Sequence, residues 1–124
     1  MFEVIESGNI VHIKANGKLI HEDYEQVIPK LGAIFEKYDK VRVCFEMTDF
    51  HGISPRAVWD DLKFDVKHGK QVERLAGIGN TAWKKWLMGM GRIVFHHAEY
   101  RYFDASDIDE AMDWLKEGAE NARP

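Results

Sequence analysis

The strongest constraint on this chain is the alternation of two hydrophobic periods along it. Short runs rich in β-branched and aromatic residues recur, separated by longer stretches whose apolar residues return every three or four positions. A period of two buries one face of a strand, and a period of 3.6 buries one stripe of a helix. Residues 2–6 and 10–15 flank a Ser7-Gly8-Asn9 turn, the pattern of an antiparallel hairpin. A helix follows from about 21 to 38, with Tyr24, Val27, Ile28, Leu31, Ile34, Phe35 and Tyr38 on one stripe. Pro29 lies inside it, and its missing donor and ring clash predict a kink or a late start.

Residues 41–47 form a strand apolar on both faces, as a central strand covered on each side would be. Ser54 as N-cap and Pro55 at the first helical position open a second helix that runs to about residue 68 or 69. Residues 72–78 make the next strand, and Asn80 caps a third helix from 81 to about 91. The stretch 93–99 carries no clear period. Residues 100–103 form a short final strand, and Asp104 caps a last helix with Ile108, Ala111, Met112 and Leu115 on its inner stripe, ending near Gly118. The order ββαβαβαβα predicts an α/β fold. Its sheet is mixed and mostly parallel, with four to five strands and an N-terminal antiparallel hairpin, and four helices lie over both faces. At 124 residues, positions 1–124 fit a single domain with one core.

Hydrophobic residues at 45% and charged residues at 31% exclude a disordered or fibrous chain. No apolar run is long enough to span a bilayer, and the N-terminus lacks the basic start of a signal peptide, so a cytoplasmic location is expected. The single cysteine, Cys44, agrees with a reducing compartment. Residues 55–92 carry eight Lys/Arg against four Asp/Glu, a local +4, which leaves −8 for the rest of a chain whose net charge is −4. That modest excess does not call for nucleic acid.

Several segments carry a family resemblance: the loop Asp49-Phe50-His51-Gly52-Ile53, the run Ala76-Gly77-Ile78-Gly79-Asn80 followed by Trp83, the run Tyr100-Arg101-Tyr102-Phe103-Asp104, and Glu110-Ala111 with Trp114-Leu115. Together with the element order, they resemble the SpoIIAA-like superfamily of STAS and CRAL-TRIO domains, and within it an uncharacterised bacterial SpoIIAA-like family. The resemblance covers nearly the whole chain. It implies either a regulatory protein-interaction domain or a carrier that holds a hydrophobic ligand under a mobile helix. STAS anti-sigma antagonists place a phosphorylatable serine directly after an Asp in the loop opening the second helix. Here Phe50 and His51 occupy those positions, which implies no phosphoserine switch, with Ser54 the nearest hydroxyl.

The residues themselves offer three functional readings. The first is non-enzymatic binding of a small hydrophobic molecule or lipid, with transient contact to a membrane surface. Trp83, Trp86, Leu87 and Met90 share about a third of the third helix and are flanked by Lys84 and Lys85, and tryptophan with lysine suits a lipid interface. In the second helix Val58, Trp59, Leu62 and Val66 make one face, while Ala57 and Phe64 project from roughly the opposite one, and one helix cannot bury both faces against a single sheet. With Phe50, these two helices supply the candidate ligand- or membrane-binding residues. The second reading is a protein-interaction module using the same helices to bind a partner, or a homodimer through Phe64. The third is an enzyme with Asp49 and His51 as an acid/base pair beyond the carboxyl ends of the strands. That reading lacks a nucleophile, since Cys44 sits mid-strand.

The Gly77–Asn80 turn lacks the lysine of a P-loop and the third glycine of a dinucleotide fingerprint, and a tight turn with a helix cap explains it. Adjacent His96 and His97 point opposite ways on an extended segment, so no metal is expected, and no cofactor.

Overall fold

The computed structural model describes residues 2–49, 51–94 and 98–117. Strands β1 (Phe2–Ser7) and β2 (Ile10–Asn16) form the expected hairpin, with Ser7 opposite Ile10 and Gly8 at φ +60°. The positive φ is why glycine sits at that corner. Helix α1 (His21–Lys37), strand β3 (Val41–Thr48), helix α2 (Pro55–His68), strand β4 (Val72–Ile78), helix α3 (Thr81–Val94), strand β5 (Glu99–Phe103) and helix α4 (Ile108–Lys116) follow. The chain is therefore an α/β fold on one five-stranded sheet, ordered β1-β2-β3-β4-β5. β1 is antiparallel to β2, and every later pair is parallel.

This order determines where the helices lie. Three consecutive right-handed crossovers that step the same way across a sheet must put their helices on one face. Accordingly α1, α2 and α3 cover the face that carries Val11, Ile13, Val43, Met47 and Leu75, and the core there includes Leu31, Phe35, Ala57 and Trp83. α4 comes after the last strand and is free to cross under. It packs Ala111, Trp114 and Leu115 against Cys44, Ala76, Ile78 and Phe103 on the other face. β3 is thus buried from both sides over Val41–Cys44, as a double-sided apolar run requires.

Helix α1 runs unbroken from His21 through Pro29, whose ring is exposed. Tyr24, Val27, Leu31, Ile34 and Phe35 anchor its inner side, and this burial outweighs the proline's lost hydrogen bond. α3 extends to Val94, about one turn beyond the glycines where an end is expected. Asp104 opens a short 3-10 turn (105–107) with no side-chain capping bond, so the last helix begins at Ile108. One irregularity interrupts the sheet: Val41 pairs Val72 but Arg42 pairs Arg74, leaving Glu73 bulged and bonded to Arg42 Nε at 3.1 Å.

The structure settles the facing of α2. The periodicity puts Trp59 on one face and Ala57 on roughly the opposite one, without deciding which of them meets the sheet. In the structure Ala57, Asp60 and His68 are buried, and Trp59 is 60% exposed. The cause is polar: Asp60 and His68 find partners on neighbouring elements, and satisfying them rotates the helix so that its tryptophan faces outward.

Candidate functional site

The parallel strands deliver their connecting loops to one edge of the sheet. Two of those loops are bonded backbone to backbone. Gly17 N–H donates to Thr48 O (3.1 Å), His51 N–H to Gly17 O (3.1 Å), Leu19 N–H to Gly52 O (3.0 Å) and Ser54 N–H to Leu19 O (2.9 Å). This ladder fixes the start of α2 against the start of α1. Asp49 at φ +51° and Gly52 at φ +110° turn the chain sharply between its rungs. Ser54 then caps α2, its Oγ accepting from Ala57 N–H at 3.1 Å, so that hydroxyl is committed to the helix terminus.

Asp49 and His51 are both exposed, and among the described residues neither side chain makes a hydrogen bond or ion pair. Phe50 lies outside the described residues, as do His96 and His97 and the side chains of Leu62, Phe64, Trp86, Leu87 and Met90.

Just behind this loop lies a cluster that the sequence did not reveal. His21 Nδ1 is 2.6 Å from Asp60 Oδ2, His21 Nε2 is 2.6 Å from Glu25 Oε1, and Lys63 Nζ is 3.6 Å from Asp60 Oδ1. Asp60 is 4% exposed. The only visible signal was the stripe Ala57, Asp60 and His68, which looks polar and therefore outward until its partners are known.

Trp83 belongs to the core. It is 1% exposed, its ring centroid 4.8 Å from that of Phe45, and it fills the space above β4. A Cβ on Gly79 would lie 2.6 Å from Trp83 Cδ1 and 2.7 Å from Met47 O, so the glycine permits this packing. Asn80 Oδ1 accepts from Trp83 N–H at 2.9 Å and caps α3. The Gly-rich turn is thus accounted for by packing and capping. Tyr102 bonds the Gly79 carbonyl from β5, and burial, seconded by Asp104, pushes its phenol above the ordinary tyrosine range.

Burial drives the Cys44 thiol up to about 12, with the Glu46 carboxylate adding to the effect, so at neutral pH it is a protonated core group and not a nucleophile. On the helical face of the sheet, the exposed large apolar side chains among the described residues are Trp59, at 60%, on α2 and Met88, at 51%, on α3. Ile20, at the loop preceding α1, is also exposed. Arg56, Lys63 and Lys67 of α2 and Lys84 and Lys85 of α3 are exposed too, so these two helices present basic residues together with large apolar groups.

A sequential five-stranded sheet with three helices on one face, one on the other and an exposed loop at the start of α2 defines a SpoIIAA-like α/β protein. Residues 10–116 match the sequence model of the SpoIIAA-like family, and the chain belongs to that family. It is similar to an uncharacterised protein of the DUF3478 family with a SpoIIAA-like fold from Shewanella loihica PV-4. That match has 34% identity and a TM-score of 0.75, over 93% of this chain and 92% of that one. It also shares its fold with the anti-sigma factor antagonist SpoIIAA in its unphosphorylated form, at 16% identity and a TM-score of 0.63, over 94% and 97% of the two chains. No curated protein matches. Among the described residues, no helix is long and apolar enough to cross a membrane.

Proposed function

We propose that this chain is a non-enzymatic protein-interaction module of the STAS type that works without a phosphoserine switch. The observation that carries this reading is Trp59, a tryptophan 60% exposed on a helix held by the hydrogen bond between His21 and buried Asp60. Exposing so large an apolar surface forfeits roughly 1.5–3 kcal/mol of burial, and tryptophan is the residue type most often found as an interface anchor. Met88 on α3 is a second exposed large apolar side chain, and methionine adapts to varied partner surfaces. The shared fold supports the reading further, since an anti-sigma factor antagonist acts through protein contact.

The absence of a switch rests on two observations. Ser54, the nearest hydroxyl beyond Gly52, is held as the cap of α2, and Asp49 is not followed by a hydroxyl residue. The hydrophobic-carrier reading loses one of its principal residues, because Trp83 is packed on the sheet.

Photo-crosslinking in the source organism tests the proposal, with p-benzoylphenylalanine in place of Trp59 and, as control, in place of Glu110 on the opposite face of the sheet. A defined protein adduct at position 59 and none at position 110 is the expected result. Adducts only to lipid, or equal adducts at both positions, would overturn it.

A further inference from the structure

Beside Trp59, α2 carries a second feature. Arg56, Lys63 and Lys67 are exposed and fall within about 40° of one another around the helix, a basic stripe about 16 Å long. Lys63 and Lys67 also form one wall of a groove of about 500 Å³ between α1 and α2, whose other wall is Ile28, Pro29, Gly32 and Ala33. Pro29 and Gly32 are two of the poorest helix residues, placed one turn apart. They keep that wall low: a Cβ added at Gly32 meets nothing within 4 Å.

The charges around the groove are unequal. Asp60 is committed to His21 and Lys63, and Glu36 is the other carboxylate on the lining. The exposed stripe of Arg56, Lys63 and Lys67 along the α2 side of the groove favours an acidic segment there over a basic one.

We propose that the groove between α1 and α2 is the docking site for an acidic amphipathic segment of a partner protein. Its apolar side chains lie over Gly32 and Ala33, and its carboxylates meet Lys63 and Lys67. Arg56 and Trp59 extend the contact toward the start of α2. This assignment rests on the reading of the chain as an interaction module, and it names the chemistry of the partner.

The test uses a fluorescein-labelled helical peptide of about 18 residues, five turns, with leucine on one stripe and glutamate on its flanks. Fluorescence anisotropy at low salt reads its binding to the full chain. The acidic peptide is expected to bind, and a version with lysine for glutamate is not. Lys63→Glu combined with Lys67→Glu should weaken binding about tenfold or more. Gly32→Leu fills open space, so it should block the groove to a similar degree while leaving the melting temperature equal or higher.

Equal binding of both peptides, or full binding to the Gly32→Leu chain, overturns the assignment. Binding to phosphatidylglycerol vesicles with indifference to the peptide overturns it in favour of a membrane. A concentration-dependent dimer abolished by Gly32→Leu overturns it in favour of a second copy. If position 59 still crosslinks to a protein while Gly32→Leu binds the peptide fully, the groove assignment falls and the interaction reading stands. If the peptide result holds but position 59 crosslinks to no protein, the interaction reading falls.

Discussion

The imidazole of His21 joins the first turn of α1 to Asp60 of α2, Nδ1 to Oδ2 at 2.6 Å, across 39 residues of sequence. With Glu25 on its other nitrogen, the ring bridges two carboxylates, one of them buried. A carboxylate withdrawn from water needs such partners, and removing one leaves the other uncompensated. His21→Ala is therefore expected to cost about 2–4 kcal/mol, leaving Asp60, among the described residues, the longer contact to Lys63. Urea unfolding at neutral pH measures this, and Asp60→Asn in the same background should recover part of the loss. A lowering of less than about 0.5 kcal/mol would show that the pair does not fix α2.

Gly79 is set between Trp83 and the Met47 carbonyl, and the oxygen cannot move without breaking the sheet. Gly79→Ala should therefore destabilise by about 2–3 kcal/mol, although alanine normally favours order. Near-ultraviolet circular dichroism should change as Trp83 is displaced from Phe45. Gly32→Ala is the matched control, expected to stabilise by about 0.5–1 kcal/mol because its Cβ has room in an exposed helix wall.

The contrast between those two glycines shows what the sequence can and cannot display. Element order, the hairpin and the caps at Ser54 and Asn80 were legible because each depends on neighbours within a few positions. The facing of α2 was not, because Asp60 reads as solvent-exposed until His21, 39 residues away in sequence, is brought beside it. Trp83 and Trp59 illustrate the same limit in opposite directions. Both are tryptophans beside basic residues on amphipathic helices, yet one is core and the other surface. Periodicity locates a stripe, but only the polar contacts made by the remaining residues decide which stripe turns inward. Likewise the groove lining from α1 is a property of two helices, and neither segment alone announces it.

Two sheet arginines hold the end of α4. Arg42 Nη1 donates to Leu115 O at 2.9 Å and to Glu117 O, and Arg74 Nη1 donates to Trp114 O at 2.7 Å. These carbonyls belong to the last turn, where intrahelical donors run out and positive charge is favoured. Arg42→Met keeps much of the volume and removes the donors, and should cost about 2 kcal/mol. Hydrogen exchange localises the effect: amides of Ala111–Leu115 should exchange faster, while those of Leu31–Phe35 on the other face should change only with global stability.

Cys44 lies beneath that helix, and its thiol is held up at about 12 by burial and then by Glu46, against an ordinary value of 9.0. The unfolded chain releases this proton near the ordinary value, whereas the folded chain retains it until about 12. A raised folded value means that the contribution to stability is complete below pH 9 and is lost as pH rises from there toward 12. Over that window the cysteine should lower unfolding free energy by up to about 1.4 kcal/mol per pH unit. Tyr38 and Tyr102 are displaced upward as well, each chiefly by burial, so some alkaline loss will remain without the cysteine. The discriminating measurement is the difference between wild type and Cys44→Ala in denaturant unfolding from pH 8 to pH 10.5, with the wild-type chain losing more. Parallel curves would mean that the thiol is already ionised, or equally solvated, in the folded state. Reaction with a thiol reagent at pH 8 supplies the kinetic counterpart. Modification should proceed at the rate of opening, and Arg42→Met, by loosening α4 over the same face, should accelerate it.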